Sequence, residues 1–90
     1  VCSSDLLGLV HSVIADDPLS GAHEFLQRFE GNSLVAMKFV REAVLRATEL
    51  PLGEGLQVES DLSTLSYQTD DAAEGIDAFL AKRPPRFNAT

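Results

Sequence analysis

Between Ser33 and Ala47 the apolar side chains Ala36, Met37, Val40, Ala43, Val44 and Ala47 recur at steps of three and four, while Lys38, Arg41, Glu42 and Arg46 occupy the other sides. That spacing commits the segment to an amphipathic helix, because a turn of 3.6 residues brings those positions into one stripe. Ser33 suits the N-cap, where a hydroxyl can take up a free backbone N–H. Leu34, Val35, Phe39 and Leu45 fall off the main stripe, so more than one side of this helix is expected to be covered.

The neighbouring segments read in the same way. Asp17 can cap and Pro18 fits the first position of a helix carrying Leu19, Ala22, Phe25, Leu26 and Phe29, which Gly31-Asn32 breaks. After Leu50-Pro51-Leu52-Gly53 a third helix runs from about 53 to 67, with Leu56, Leu62 and Leu65 in register. Thr69-Asp70-Asp71 opens a last helix, in which Asp71 and Glu74 have the spacing of a capping box. Its apolar side is Ala72, Ile76, Phe79 and Leu80, and Pro84-Pro85 stops it, leaving an irregular tail over 86–90. Residues 9–14 are short and rich in β-branched side chains, which suggests an extended run. The expected class is all-α, about four helices in an up-and-down series after a short extended run.

Ninety residues make one small domain with a thin core, since such a chain buries only roughly 60% of the surface it exposes unfolded. A net charge of −7 works against general binding of nucleic acid or anionic lipid. A single cysteine, Cys2, cannot close an internal disulfide, and no apolar stretch is long enough to span a bilayer. The chain is expected to be soluble and cytoplasmic. Residues 1–7 begin with Val1 and carry no cap or turn signal of their own, so the organisation is taken to start at residue 8 and run over 8–90.

Few residues offer chemistry by themselves. His11 and His23 have no second ligand at metal-binding spacing, so no metal is expected. Asp70, Asp71, Glu74 and Asp77 could be imagined as acid and base, but capping and the helix dipole already account for acids at a helix start. The glycines form no phosphate-cradling loop, and no nucleophile elbow is present. Charge distribution says more: Lys82, Arg83 and Arg86 follow the last acid, Asp77, so an acidic chain has a basic end. Lys82 and Arg83 could simply complement the helix C-terminus. Alternatively Phe79 and Lys82, three apart on one helical face, present an aromatic surface beside a point charge, a combination suited to a purine next to a phosphate.

The order of these features resembles the C-terminal end of the enoyl-CoA hydratase/isomerase (crotonase) family. The resemblance runs from Gly8-Leu9-Val10 through Asn32-Ser33-Leu34-Val35-Ala36-Met37-Lys38 to Thr69-Asp70-Asp71, Glu74-Gly75, Ala78-Phe79-Leu80, Lys82-Arg83 and Pro85-x-Phe87. It implies the C-terminal helical part of a crotonase-like α/β spiral fold, in an enzyme acting on acyl-CoA thioesters, with hydration of a 2-enoyl-CoA as the expected reaction. The oxyanion hole and the acid/base carboxylates of that family belong upstream of the matching region, so no residue here is expected to be catalytic. Phe79 and Lys82 match positions that approach the adenosine end of coenzyme A, the only cofactor-like group implied, and it arrives as part of the substrate. The helices are expected to pack on an upstream core and on neighbouring subunits of a homotrimer or pair of trimers. Gly75 is expected to allow close approach of another backbone, and Phe25, Phe29, Met37 and Phe39 to serve in a core or interface. The competing reading is a stand-alone helical module that binds a protein partner and never meets coenzyme A.

Overall fold

The computed structural model describes residues 6–90, so Cys2 and the expectations attached to it lie outside the described residues. The chain divides into two compact units, Val1–Glu30 and Gly31–Thr90.

The first unit contains α1, Pro18–Gln27. Asp17 caps it as expected, its Oδ2 accepting the Ser20 N–H at 3.1 Å, and Pro18 occupies the first turn, where a missing donor is harmless. The helix tightens as it ends, with Phe29 N–H donating to Leu26 O and Glu30 N–H to Gln27 O, and Gly31 then takes a φ of +84° that a side chain would resist. The run over 9–14 forms no strand. It bends at 9–11 and continues irregularly to 15, because an extended segment needs a partner ladder and no strand exists among the described residues. Side chains hold it instead: Ile14 lies over Gly21, where an added Cβ would come within 2.5 Å, and the His11 ring meets the edge of Phe25 at 5.1 Å. Phe29 adds a second edge contact to Phe25 at 5.4 Å, and the Arg28 guanidinium lies 5.7 Å from the Phe25 ring centre.

The second unit contains α2 (Leu34–Ala47), α3 (Leu52–Tyr67) and α4 (Asp70–Leu80). Ser33 caps α2, its hydroxyl accepting the Ala36 N–H at 3.3 Å. The break at Leu50-Pro51 turns the chain, and α3 begins without a side-chain cap, Gly55 N–H bonding to Pro51 O at 2.9 Å. Packing of α2 on α3 dominates the unit, and at Gly55 the two helices come close, a Cβ there lying 3.8 Å from the Ala47 Cα. Thr69 caps α4 by accepting the Ala72 N–H at 3.2 Å.

Burial is sparse. Among the described residues the fully buried ones are Ala78, Ser33 and Asp71, so the most protected point is a small residue beside a polar pair. Large apolar side chains are half-open or open: Val40, Val44, Leu56 and Tyr67 all stand in solvent. No helix among the described residues is long and apolar enough to cross a membrane.

Candidate functional site

The last helix and the tail behind it form a clasp built on two carboxylates. Asp71, only 3% exposed, accepts the Ser33 hydroxyl through Oδ2, the Asn88 N–H through Oδ1 at 2.8 Å and the Ala89 N–H through Oδ2 at 3.2 Å. Its own N–H donates to Thr90 O at 3.3 Å. One side chain thus joins the cap of α2, the first turn of α4 and the chain terminus. The Ser33 hydroxyl above all, and the tail N–H groups after burial has pulled the other way, hold the Asp71 carboxyl below the usual carboxylate range.

One turn further on, Glu74 grips Arg83 with both oxygens, Nη1 to Oε1 at 2.6 Å and Nη2 to Oε2 at 2.9 Å, and Oε1 also accepts the Arg86 N–H at 2.8 Å. The Arg83 hydrogen bonds first, and the Arg86 N–H second, hold the Glu74 carboxyl down at about 2. A carboxyl lowered by folding stabilises the native state fully above its unfolded range near 4.5 and loses that contribution progressively as pH falls from there through about 2. Phe87 completes the return of the chain, its ring lying 3.5 Å from where a Gly75 Cβ would stand. The tail over 86–90 is therefore pinned along α4 rather than loose.

This arrangement revises several expectations. Asp71 and Glu74 make no capping box: Thr69 caps, and both acids turn to other partners. Gly75 faces an aromatic ring, at ordinary contact distance, rather than another backbone within the chain. Arg83 does not serve the helix end, because Glu74 takes its guanidinium, and it adds a bond to Pro84 O at 3.3 Å. The helix stops at Leu80, so the three-residue spacing of Phe79 and Lys82 is not a helical one. Lys82 sits beyond the cap with φ +52°, its N–H donating to Phe79 O at 3.2 Å while Arg83 N–H donates to Ala78 O at 3.0 Å. These two bonds are a Schellman closure with lysine where glycine is customary, a substitution that costs roughly 1 kcal/mol in backbone energy.

Phe79, at 82% exposed, is the most open Phe or Tyr ring described, and Lys82, three residues on, is exposed too. Lys82 makes no ion pair among the described residues, whereas Arg83 is bound to Glu74 and Arg46 to Glu42. A second feature of this unit is a groove of about 600 Å³ between α2 and α3, walled by Val40, Val44, Leu56, Leu62 and Tyr67. Ala43 of the main stripe and Phe39, which falls off it, also line the groove in partly buried positions. Glu59, Ser63 and Ser66 also line the groove, and no group of three or more His, Cys, Asp or Glu side chains among the described residues could hold a metal ion.

The helices of the described residues, the last followed by a basic turn, form a helical part of the crotonase fold. They superpose on a crystal structure of an enoyl-CoA hydratase/isomerase from Mycobacterium paratuberculosis with a TM-score of 0.86 and 32% identity, over 97% of this chain and 35% of that one. The family model described as enoyl-CoA hydratase/isomerase matches residues 4–90, and the chain belongs to that family. It is 41% identical over 81 residues to a probable enoyl-CoA hydratase of Mycobacterium bovis, covering 89% of this chain and 32% of that protein. It is 37% identical, over the same shares of each chain, to the 2,3-dehydroadipyl-CoA hydratase of Escherichia coli. The chain spans about a third of the length of these curated relatives.

Proposed function

We propose that this chain forms the C-terminal helical portion of an enzyme that hydrates the 2,3-double bond of an enoyl-CoA thioester. Its own part is to hold the adenosine end of coenzyme A. Phe79 offers its face to the adenine ring, and Lys82 offers a cation to the adenosine 3′-phosphate. The groups that stabilise the thioester enolate and move protons lie outside these residues, in the remaining length that the relatives possess. That same length covers the groove between α2 and α3, where burying each open Val or Leu side chain contributes about 1.5–3 kcal/mol. A cytoplasmic homotrimer or pair of trimers belongs to the same reading.

The observation that carries this reading is the pairing at the end of α4: an open aromatic ring joined through the backbone to a lysine that makes no ion pair among the described residues. In an acidic chain, a single local cation is enough to attract a phosphate. The test is calorimetric titration of the complete polypeptide carrying this sequence with coenzyme A and with 3′-dephospho-coenzyme A. Lys82→Ala is expected to weaken the first by about tenfold, the effect of losing one charge-assisted contact, and to leave the second nearly unchanged. Equal loss for both ligands would remove the phosphate role.

A further inference from the structure

Lys82 holds a backbone conformation that a lysine does not choose, and two different sets of bonds hold it there. On the helix side are the closing bonds from Lys82 N–H to Phe79 O and from Arg83 N–H to Ala78 O. On the tail side a single carboxylate, Glu74, takes both guanidinium nitrogens of Arg83 and the N–H of Arg86. Residues 83 and 86 are thereby fixed to the second turn of α4, and the strained residue is bracketed between two anchored points. Glu74 is no capping partner of Asp71, and among the described residues its carboxylate hydrogen bonds run to Arg83 and Arg86.

We propose that Glu74 and Arg83 are positioning residues for Lys82: their two-bond grip holds the left-handed turn that aims the lysine at the 3′-phosphate of coenzyme A. The inference rests on the reading of Phe79 and Lys82 given above. It differs from a direct role for Arg83 in anion binding, since the guanidinium is occupied by a carboxylate that repels an incoming phosphate. The two roles predict opposite outcomes when the carboxylate charge is removed: a positioning grip loses phosphate discrimination, whereas a freed Arg83 gains it.

The experiment measures the ratio of affinities for coenzyme A and 3′-dephospho-coenzyme A in the complete polypeptide. Glu74→Gln is expected to lower that ratio by about fivefold or more, the size of a modest coupling, with affinity for the dephospho ligand unchanged. Arg83→Lys, which keeps the charge but cannot bond with two parallel N–H groups, is expected to lower it as well. The exchanged pair Glu74→Arg with Arg83→Glu is expected to restore part of it. Should Glu74→Gln fail to fold by circular dichroism, Glu74→Asp and Arg83→Lys give the same readout. A ratio that stays at its original value or rises in these variants, while Lys82→Ala abolishes it, overturns the positioning role and leaves the lysine reading standing. A starting protein with no preference between the two ligands would instead overturn the lysine reading itself.

Discussion

The clasp around α4 and the groove between α2 and α3 handle their surfaces in opposite ways. In the clasp, polar groups are satisfied within the chain: Ser33, Asn88 and Ala89 all donate to Asp71, and Arg83 and Arg86 to Glu74. In the groove, Val40 and Val44 are left more than half exposed, facing Leu56 and Tyr67 across open space. Hydrogen bonds demand local partners, because an unpaired buried donor is costly wherever it lies. Apolar surface is less particular, and any complementary face can cover it. The described residues thus satisfy the polar groups of the clasp internally and leave the apolar faces of the groove open, the surface that the longer polypeptide proposed above would cover.

Four substitutions press on that contrast, beginning with the greatest expected effect. Val44→Asp places a charge in the groove. In the complete polypeptide it is expected to cost about 3 kcal/mol or more, as an unpaired buried charge does, whereas a groove open to water would register within about 0.5 kcal/mol. Urea denaturation distinguishes the two. Asp71→Ala removes the acceptor shared by α2, α4 and the tail. Amide exchange at Asn88 and Ala89 is expected to accelerate by about tenfold or more while the amides in the middle of α3 keep their protection.

Ser33→Ala is expected to destabilise by about 1 kcal/mol through the lost cap alone, and the deficit is expected to grow where the Asp71 bond is intact. Measuring it in the Asp71→Asn background isolates that coupling. Gly75→Ala has the smallest expected effect and the opposite sign, a gain of up to about 1 kcal/mol, because the new methyl meets the Phe87 ring at ordinary contact distance and alanine favours the helix. A loss instead of a gain would point to another backbone pressed against Gly75, the close approach expected from the sequence.

Much of the helical layout was legible in advance, for local reasons. Asp17, Ser33 and Thr69 act on backbone groups within three residues of themselves, and the stripe over 34–47 is a local periodicity, so both could be seen along the chain. What escaped were bonds between residues far apart in sequence. Nothing near Ser33 shows that its hydroxyl reaches Asp71, thirty-eight residues later. Glu74 and Arg83 lie nine apart, and the tail returns along α4 after the left-handed turn at Lys82 and the Pro84-Pro85 pair. That proline pair, followed by Phe87, was the available hint that the end of the chain is tied down. The run over 9–14 lies outside any regular element, because β-branched residues express a preference for extended backbone but a strand also requires a partner.

For Phe79 and Lys82 the residue types were readable and their setting was not. Helical periodicity placed them on one face, whereas the helix ends between them and a left-handed turn at Lys82 follows, with Lys82 N–H bonded to Phe79 O. A lysine in that place gives no signal in sequence, because glycine is the residue by which such turns are ordinarily found.

The central claim, that the α2–α3 face is covered by other parts of the complete polypeptide, is tested most directly by the accessibility of position 44. With Cys2 and any other native cysteine replaced by serine, Val44→Cys in the folded complete polypeptide is predicted to react with a maleimide about a hundredfold more slowly than in the denatured protein. Reaction at the same rate in both states would contradict it.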